Sequence, residues 1–417
     1  MFTKRKKNRP HPFQNNTESR FITPKCQEKE IVTESRAKVN FSSLNIFKVI
    51  FIFFSLTGIE AFCHSKIADL NGFKVNRSES LKYRLTLIIQ NGSKYIVYTG
   101  LCTKVLLGIV MILYEDLTKC LTRIFIVLLT LLFYTSVYRK RQAMLQMTIN
   151  LSQTLKVVAD CSPNIKTYSF IAYLIMMQIL ILIWTTLRYL SEDYMNVIQK
   201  ITSDSLSHTM YYSNLLLGII FTIASTVTCI VLSLFSMYYS LTCNFIRVLL
   251  KHVLERMEGD FFPGDLENIF LAYGDIARYM RSMDEHFSMP VFFTVFFTMT
   301  GLFWGGYRIA FHSGITKMYF LSLIIPLIFY LSIQLMIMVS ASSTNELANE
   351  VRCVIQCLPY GNPPQDPKRI FKLKKDLNRD NSLTLWKVYV MDRSLVITSI
   401  GTLLTYGILI GTLGKST

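Results

Sequence analysis

Long uncharged apolar runs alternate with charged, polar segments along the whole chain. A helix rises 1.5 Å per residue, so about 20 apolar residues cross the hydrocarbon core of a bilayer. Seven segments meet or approach that length: 95–114, 124–138, 167–187, 209–246, 287–307, 318–345 and 395–414. Segment 95–114 carries Lys104 midway, a charge for which the pattern offers no account. Segment 124–138 is short, but Arg123 and Arg139 bracket it, and their long stems can snorkel. Segment 209–246 is longer than a bilayer, so its end should project beyond the lipid as helix. An eighth run, 49–59, is closed by Lys48 and Glu60. It is too short to span and predicts an interfacial helix over 46–62. The pattern therefore predicts an all-α membrane protein with seven transmembrane helices and a short interfacial helix before the first.

Charge orients these spans. With the N-terminus in the cytosol, 36 of the 44 Lys and Arg residues fall in inner segments and four in outer ones. The short inner segment after the second span opens with Arg139, Lys140 and Arg141. Positive residues stay inside, so the expected topology has a cytosolic N-terminus and an extracellular C-terminus. Four parts follow. Residues 1–94 form a cytosolic arm carrying the interfacial helix. Residues 95–340 form a six-span bundle that includes a cytosolic segment at 239–288. Residues 341–394 form a cytosolic anchor, and 395–417 form the last span with a short external tail. Apolar residues at Leu266, Ile269, Phe270, Tyr273, Ile276 and Ala277 recur at helical spacing, so the long spans should continue as helices below the membrane and pack there. Asp284, Glu285 and His286 suit the capped entrance of the fifth span.

Composition narrows the chemistry. The chain is 51% hydrophobic and only 17% charged, with a net charge of +17. The long apolar runs assign that basic excess to topology and membrane lipid, not to nucleic acid. The arm begins with a basic cluster at Lys4, Arg5, Lys6, Lys7 and Arg9 and has no short apolar core with a cleavage site. Of nine cysteines only Cys120 falls in an outer loop, so no disulfide framework is expected. Cys353 and Cys357 stand at i, i+4 without a second ligand pair, so no metal site is expected. No glycine-rich phosphate loop, nucleophile elbow or zinc-protease pattern occurs. The reading is a non-enzyme without cofactor. No span carries a ladder of arginines, which argues against a voltage sensor.

The last span carries a more specific signal. After Asp392, Arg393 and Ser394 comes an apolar run, then Thr405-Tyr406, five mostly apolar residues, and Thr412-Leu413 near the chain end. This resembles the closing signature of the insect gustatory receptor family, Thr-Tyr, five residues, Gln-Phe. Thr405 and Tyr406 match; Thr412 and Leu413 stand where that family has Gln-Phe. The stretch 273–307 resembles the family's passage into its fifth span, and 386–394 its approach to the last. Thr57-Gly58-Ile59 resembles the end of its short apolar helix. The resemblance implies a plasma-membrane, multi-pass chemoreceptor, built as a homo- or heterotetramer. It further implies a ligand-gated, non-selective cation channel whose last helices line a central pore, opened by a small-molecule tastant such as a sugar or bitter compound.

On that reading Thr402, Thr405 and Thr412 supply hydroxyls to a hydrated wall. Ile408, Leu409 and Leu413 form an apolar constriction that dewets when shut. Thr412 and Leu413, at the family's gate positions, together with Thr405, Tyr406, Ile408 and Leu409, are the candidate pore and gate residues. Gly401, Gly407 and Gly411 would permit close helix approach. Aromatic and polar residues gather near the outer span ends: Trp184, Tyr189, Tyr212, Trp304, Tyr307, Arg308 and Tyr319. Such faces stack on rings, and a few polar groups orient them. Trp and Tyr also form belts at bilayer interfaces, and that alternative stays open here. Pro326 would kink the sixth span.

Two other seven-span readings compete. A G-protein-coupled receptor needs its N-terminus outside, which the basic arm opposes, and Asn-Pro-x-x-Tyr is absent. A small-solute transporter should show internal repeats or broken spans with midplane charge; no repeat at a fixed period is visible, and Lys104 is the only such charge. Topology separates these readings. A tag after Thr417 should bind antibody on intact cells, and the sequons at Asn76 and Asn91 should remain unglycosylated. Tag labelling only after permeabilisation would reverse the assignment.

Overall fold

Four helices in the computed structural model run well past the ends of their apolar segments. In chain order the helices are α1 (Ser42–Leu56), α2 (Leu117–Val158), α3 (Thr167–Leu190), α4 (His208–Glu258), α5 (Asp265–Phe311), α6 (Lys317–Cys357) and α7 (Arg393–Leu413). A hairpin of β1 (Thr384–Leu385) and β2 (Tyr389–Val390) precedes α7. Residues 97–103 are also helical. The structure describes residues 42–59, 88, 91, 92, 94, 95, 97–103, 105, 117–158, 167–190, 208–258, 265–311, 317–357 and 381–413. Lys104 and the N-terminal basic cluster lie outside them.

Charge ends an apolar run without ending a helix, because Lys and Arg are good helix formers. Arg139, Lys140 and Arg141 therefore sit inside the 42-residue α2. At 51 residues α4 is roughly 76 Å long, against a hydrocarbon core of about 30 Å. Among the described residues, four helices are long and apolar enough to cross a membrane: α3, α4, α5 and α6.

The core is organised around α4, which packs against α1, α2, α3, α5 and α6. Every residue from 231 to 243 is buried. That burial includes Ser233, Ser236, Ser240 and Thr242, and a polar group away from water needs a partner. Some hydroxyls donate back one turn: Ser236 to the Leu232 carbonyl at 2.8 Å and Thr242 to that of Tyr238 at 2.9 Å. Others tie helices together. Ser240 meets Ser340 of α6 at 2.6 Å, and Gln178 of α3 donates to Ser233 at 3.1 Å. Tyr238 donates to the Met144 carbonyl of α2 at 2.9 Å.

Helix α1 is about 22 Å long, too short to cross the hydrocarbon. Phe47, Ile50, Phe51 and Phe54, at i, i+3, i+4 and i+7, are buried, whereas Ile52, Phe53 and Leu56 are exposed. The Phe47 ring lies 5.7 Å from that of Tyr238 and 5.4 Å from that of Phe245. The helix closes with Gly58 at φ +84, Gly58 N–H bonded to Ser55 and Ile59 N–H to Phe54, which is a Schellman cap. A Cβ on Gly58 would lie 2.7 Å from the Lys94 backbone nitrogen, so only glycine fits. The adjoining Thr57 carbonyl accepts from Tyr134 of α2 at 3.0 Å. Lys94 Nζ donates to Tyr138 at 2.9 Å, and the Arg141 guanidinium lies 4.1 Å from the same ring.

Helices α5 and α6 approach closely at Gly301 and Gly305, four residues apart. A Cβ on Gly301 would lie 2.6 Å from the Tyr330 ring, and one on Gly305 would lie 2.8 Å from Leu327. This is the small-x-x-x-small contact of membrane helices. Gly401, expected to serve that purpose in α7, instead meets nothing within 4 Å. Ile269, Phe270, Tyr273, Ile276 and Ala277 are buried along the first turns of α5, as their spacing predicts.

Asp284, Glu285 and His286 do not cap a span entrance. They lie in the interior of α5, which runs through without a break. Asp284 Oδ1 instead accepts from Thr384 N and Thr384 Oγ1, both at 2.7 Å. Asn345 of α6 holds both ends of the hairpin segment. Its Nδ2 donates to the Leu383 carbonyl at 3.0 Å and the Met391 carbonyl at 2.8 Å, and its Oδ1 accepts from Leu383 N at 2.8 Å. The two central residues of the turn, Trp386 and Lys387, have φ +49 and +58. For non-glycine residues this costs roughly 1 kcal/mol or more each. The Val388–Leu385 hydrogen bond, 2.9 Å, and packing of Trp386 on Phe292, 5.1 Å between centroids, oppose that cost. Asn345→Ala leaves a buried N–H and two carbonyls without their partner. It is expected to destabilise the protein by about 1–3 kcal/mol and lower its melting temperature in detergent. Melting with the wild type would show the clamp to be idle.

Candidate functional site

The last helix is set in place from its base. Asp392 Oδ1 accepts from Leu395 N at 2.7 Å, an N-cap that starts α7. Arg393 pairs with Glu346 of α6 at 2.5 and 2.6 Å, in an exposed position that contributes little by itself. With the Asn345 clamp two residues upstream, these contacts fix where α7 begins and which way it points.

Helix α7 packs on α5 and α6, and its described side chains do so with one side. Leu395 and Val396 pack against the core and Ser399 is buried. Ser394, Ile397, Thr398, Gly401, Thr402 and Thr405 are exposed. These fall at i, i+3, i+4, i+7, i+8 and i+11, a single helical stripe. Its composition is small and hydroxylic except for Ile397. Thr402 and Thr405 donate to the carbonyls of Thr398 and Gly401, each at 2.8 Å. A hydroxyl that satisfies its own donor in this way still offers an accepting lone pair outward. Of the candidate pore residues, Thr405 lies on the stripe. Tyr406, Ile408, Leu409, Thr412 and Leu413 are helical positions of α7 whose side chains lie outside the described residues. Thr398 was missed by sequence reasoning, although its place one turn before Thr402 could have signalled it.

At the C-terminal end of α5, Trp304 and Tyr307 stack with centroids 5.8 Å apart and planes 22° from parallel. The Arg308 guanidinium lies 5.7 Å from the Trp304 ring, within cation–π range. Helical spacing of three and four brings these three together. Trp184 of α3 is half-buried and packs against the core. Tyr319 is half-buried in the first turn of α6. Tyr189 and Tyr212 are helical, with side chains outside the described residues. The described contacts thus gather Trp304, Tyr307 and Arg308 and do not draw Trp184 to them.

Polar links deeper in the bundle were not anticipated. Tyr173 of α3 meets Ser332 of α6 at 2.6 Å, and Gln334 of α6 reaches Ser399 of α7 at 3.4 Å. Isolated Ser, Gln and Tyr residues inside apolar runs were the available signal. Among the described residues no group of His, Cys, Asp and Glu could hold a metal ion.

No protein-family model and no curated protein matches the chain. Solved structures do. The chain is similar to the insect olfactory receptor OR5 from Machilis hrabei in complex with eugenol, with a TM-score of 0.58 and 13% identity over 89% of this chain and 98% of that one. It is similar to a second structure of that receptor, with a TM-score of 0.56 and 12% identity over 88% of this chain and 97% of that one. At such identity the likeness concerns the fold. This chain therefore has the nearly all-helical fold of an insect olfactory receptor, and its resemblance to the insect chemoreceptors holds at the level of that fold.

Proposed function

We propose that this chain is a gustatory-type chemoreceptor of the plasma membrane, a tetrameric cation channel opened by an external small molecule. Seven spans, a cytosolic N-terminus and an extracellular C-terminus complete the reading, with 341–394 as the cytosolic anchor. The observation that carries it is the one-sided packing of α7. A helix whose packed side holds Leu395, Val396 and a buried Ser399 and whose open stripe presents Ser394, Thr398, Thr402 and Thr405 suits a wall shared between protein and water. Four copies around one axis would turn that stripe toward a conduit. Such a conduit lacks charged rings and would discriminate weakly among cations. Thr412 and Leu413 then stand at the gate, with Ile408 and Leu409 as its apolar collar.

The stacked Trp304, Tyr307 and Arg308 support an outer ligand site for a ring-bearing compound or sugar. Binding there opens the channel to the extent that the open state binds more tightly. The close approaches at Gly301 and Gly305 hold the helix bearing this stack against α6, and α7 packs on both α5 and α6.

Whole-cell recording against a panel of sugars and bitter compounds tests the reading. Wild type should give a cation current. Trp304→Ala should raise the half-maximal concentration about tenfold, equivalent to ~1.4 kcal/mol, without altering unitary conductance. Thr402→Asp, by adding a ring of carboxylates, should do the converse: shift the reversal potential toward that of divalent cations and leave the half-maximal concentration in place. Unchanged selectivity in Thr402→Asp would remove α7 from the pore.

A further inference from the structure

Gln334 stands out within the apolar run of α6. Its residue is 2% exposed, and its Oε1 has no hydrogen-bond partner among the described residues. Its Nε2 reaches Ser399 Oγ of α7 at 3.4 Å and Met338 Sδ at 3.7 Å. Ser399 Oγ in turn donates to the Val396 carbonyl at 2.8 Å and lies 3.8 Å from Met338 Sδ. An amide placed in an apolar interior with one end idle is costly to keep, and an apolar residue of its size would pack there without that cost.

The geometry of the contact suggests its use. An N–H···O distance of 3.4 Å is about 0.5 Å beyond the usual optimum. Ser399 lies on the packed side of α7, opposite the open stripe of Ser394, Thr398, Thr402 and Thr405. If the stripe faces a central axis, widening the conduit moves α7 away from that axis and toward α6. The same movement shortens the Gln334–Ser399 contact toward its optimum. A contact that improves along the opening displacement stabilises the open state relative to the shut one.

We infer that Gln334 is a positioning residue for the last helix: through Ser399 its amide draws α7 outward and favours the open channel. This rests on the reading of α7 as pore-lining. Met338, whose sulfur is near both groups, fills the space between them and adapts as they move.

Unitary openings of the full chain in excised patches, in symmetric sodium solutions, test the inference, first without added compound and then with eugenol or sucrose. Gln334→Leu keeps the volume and removes the amide. It should lower open probability about fivefold or more while unitary conductance stays at the wild-type value. Ser399→Ala, a small change that spares folding, should lower it similarly, and the double variant should be no worse than the more impaired single one. Ser399→Thr retains the hydroxyl and should open like wild type. Variants that open as often as wild type, or more often, overturn the inference and leave the channel reading intact. A wild-type chain at the cell surface with no unitary openings under any of these conditions overturns both. A changed unitary conductance in Gln334→Leu also overturns it, because the residue would then shape the conduit itself.

Discussion

The placement of α7 depends on one side chain at its base. Asn345 uses its whole amide to bind Leu383 and Met391, residues that bracket the β-hairpin. An asparagine amide offers two donors and an accepting oxygen, and here all are engaged with backbone. The consequence is geometric. With the residues on either side of the hairpin fixed to α6 and Thr384 fixed to Asp284 of α5, the chain enters α7 from a braced corner. The direction of α7, the face it buries and the face it leaves open all descend from that corner. The strained conformations of Trp386 and Lys387 are what a three-residue reversal in so confined a place requires.

A second constraint comes from the interior of the bundle. Helix α4 is buried along most of its apolar length and yet is rich in hydroxyls. Where the surroundings cannot supply water, such groups bond to the preceding turn or to a neighbouring helix. Both solutions occur here, and they differ in effect. A back-bonded Thr such as Thr242 adds nothing between helices. A pair such as Ser240 and Ser340, or Tyr173 and Ser332, fixes the rotation of one helix against another. The aromatic side chains of α1 then close the base of this core against Tyr238 and Phe245.

The sequence conveyed the helices well because apolar runs and helical spacing are strong signals. The buried set Ile269, Phe270, Tyr273, Ile276 and Ala277 was readable from spacing alone. Helix ends were less legible. Arg139, Lys140 and Arg141 close an apolar run but continue α2, since membrane thickness limits apolarity and not helix length. Asp284 looked like a cap because it sits where charge meets an apolar run. Its partner is Thr384, one hundred residues on, and no local rule links them. The hairpin was equally hidden, since two-residue strands carry no alternation and its left-handed turn lacks glycine. Of the candidate site, Trp304, Tyr307 and Arg308 come together through helical spacing. Thr398 and Gln334 matter only once the orientation of α7 is known.

Orientation is what gives a short apolar helix its two characters. By composition α7 is uniform: mostly aliphatic, without charge beyond Arg393, and interrupted by serine, threonine and glycine. Nothing in that list distinguishes a packed side from an open one. The distinction arises because the corner at Asn345 directs Leu395, Val396 and Ser399 inward and leaves Ser394, Thr398, Thr402 and Thr405 outward. Had α7 entered rotated by half a turn, the hydroxyls would be buried against α5 and α6, and aliphatic side chains would face the open side. The polarity of that face is thus a property of the anchor as much as of α7. It follows that a change in the anchor can alter the open surface without altering any residue on it. A small rotation about the α7 axis exchanges threonine for isoleucine or leucine at the exposed edge. In a ring of such helices the same rotation would exchange a wall that holds water for one that sheds it.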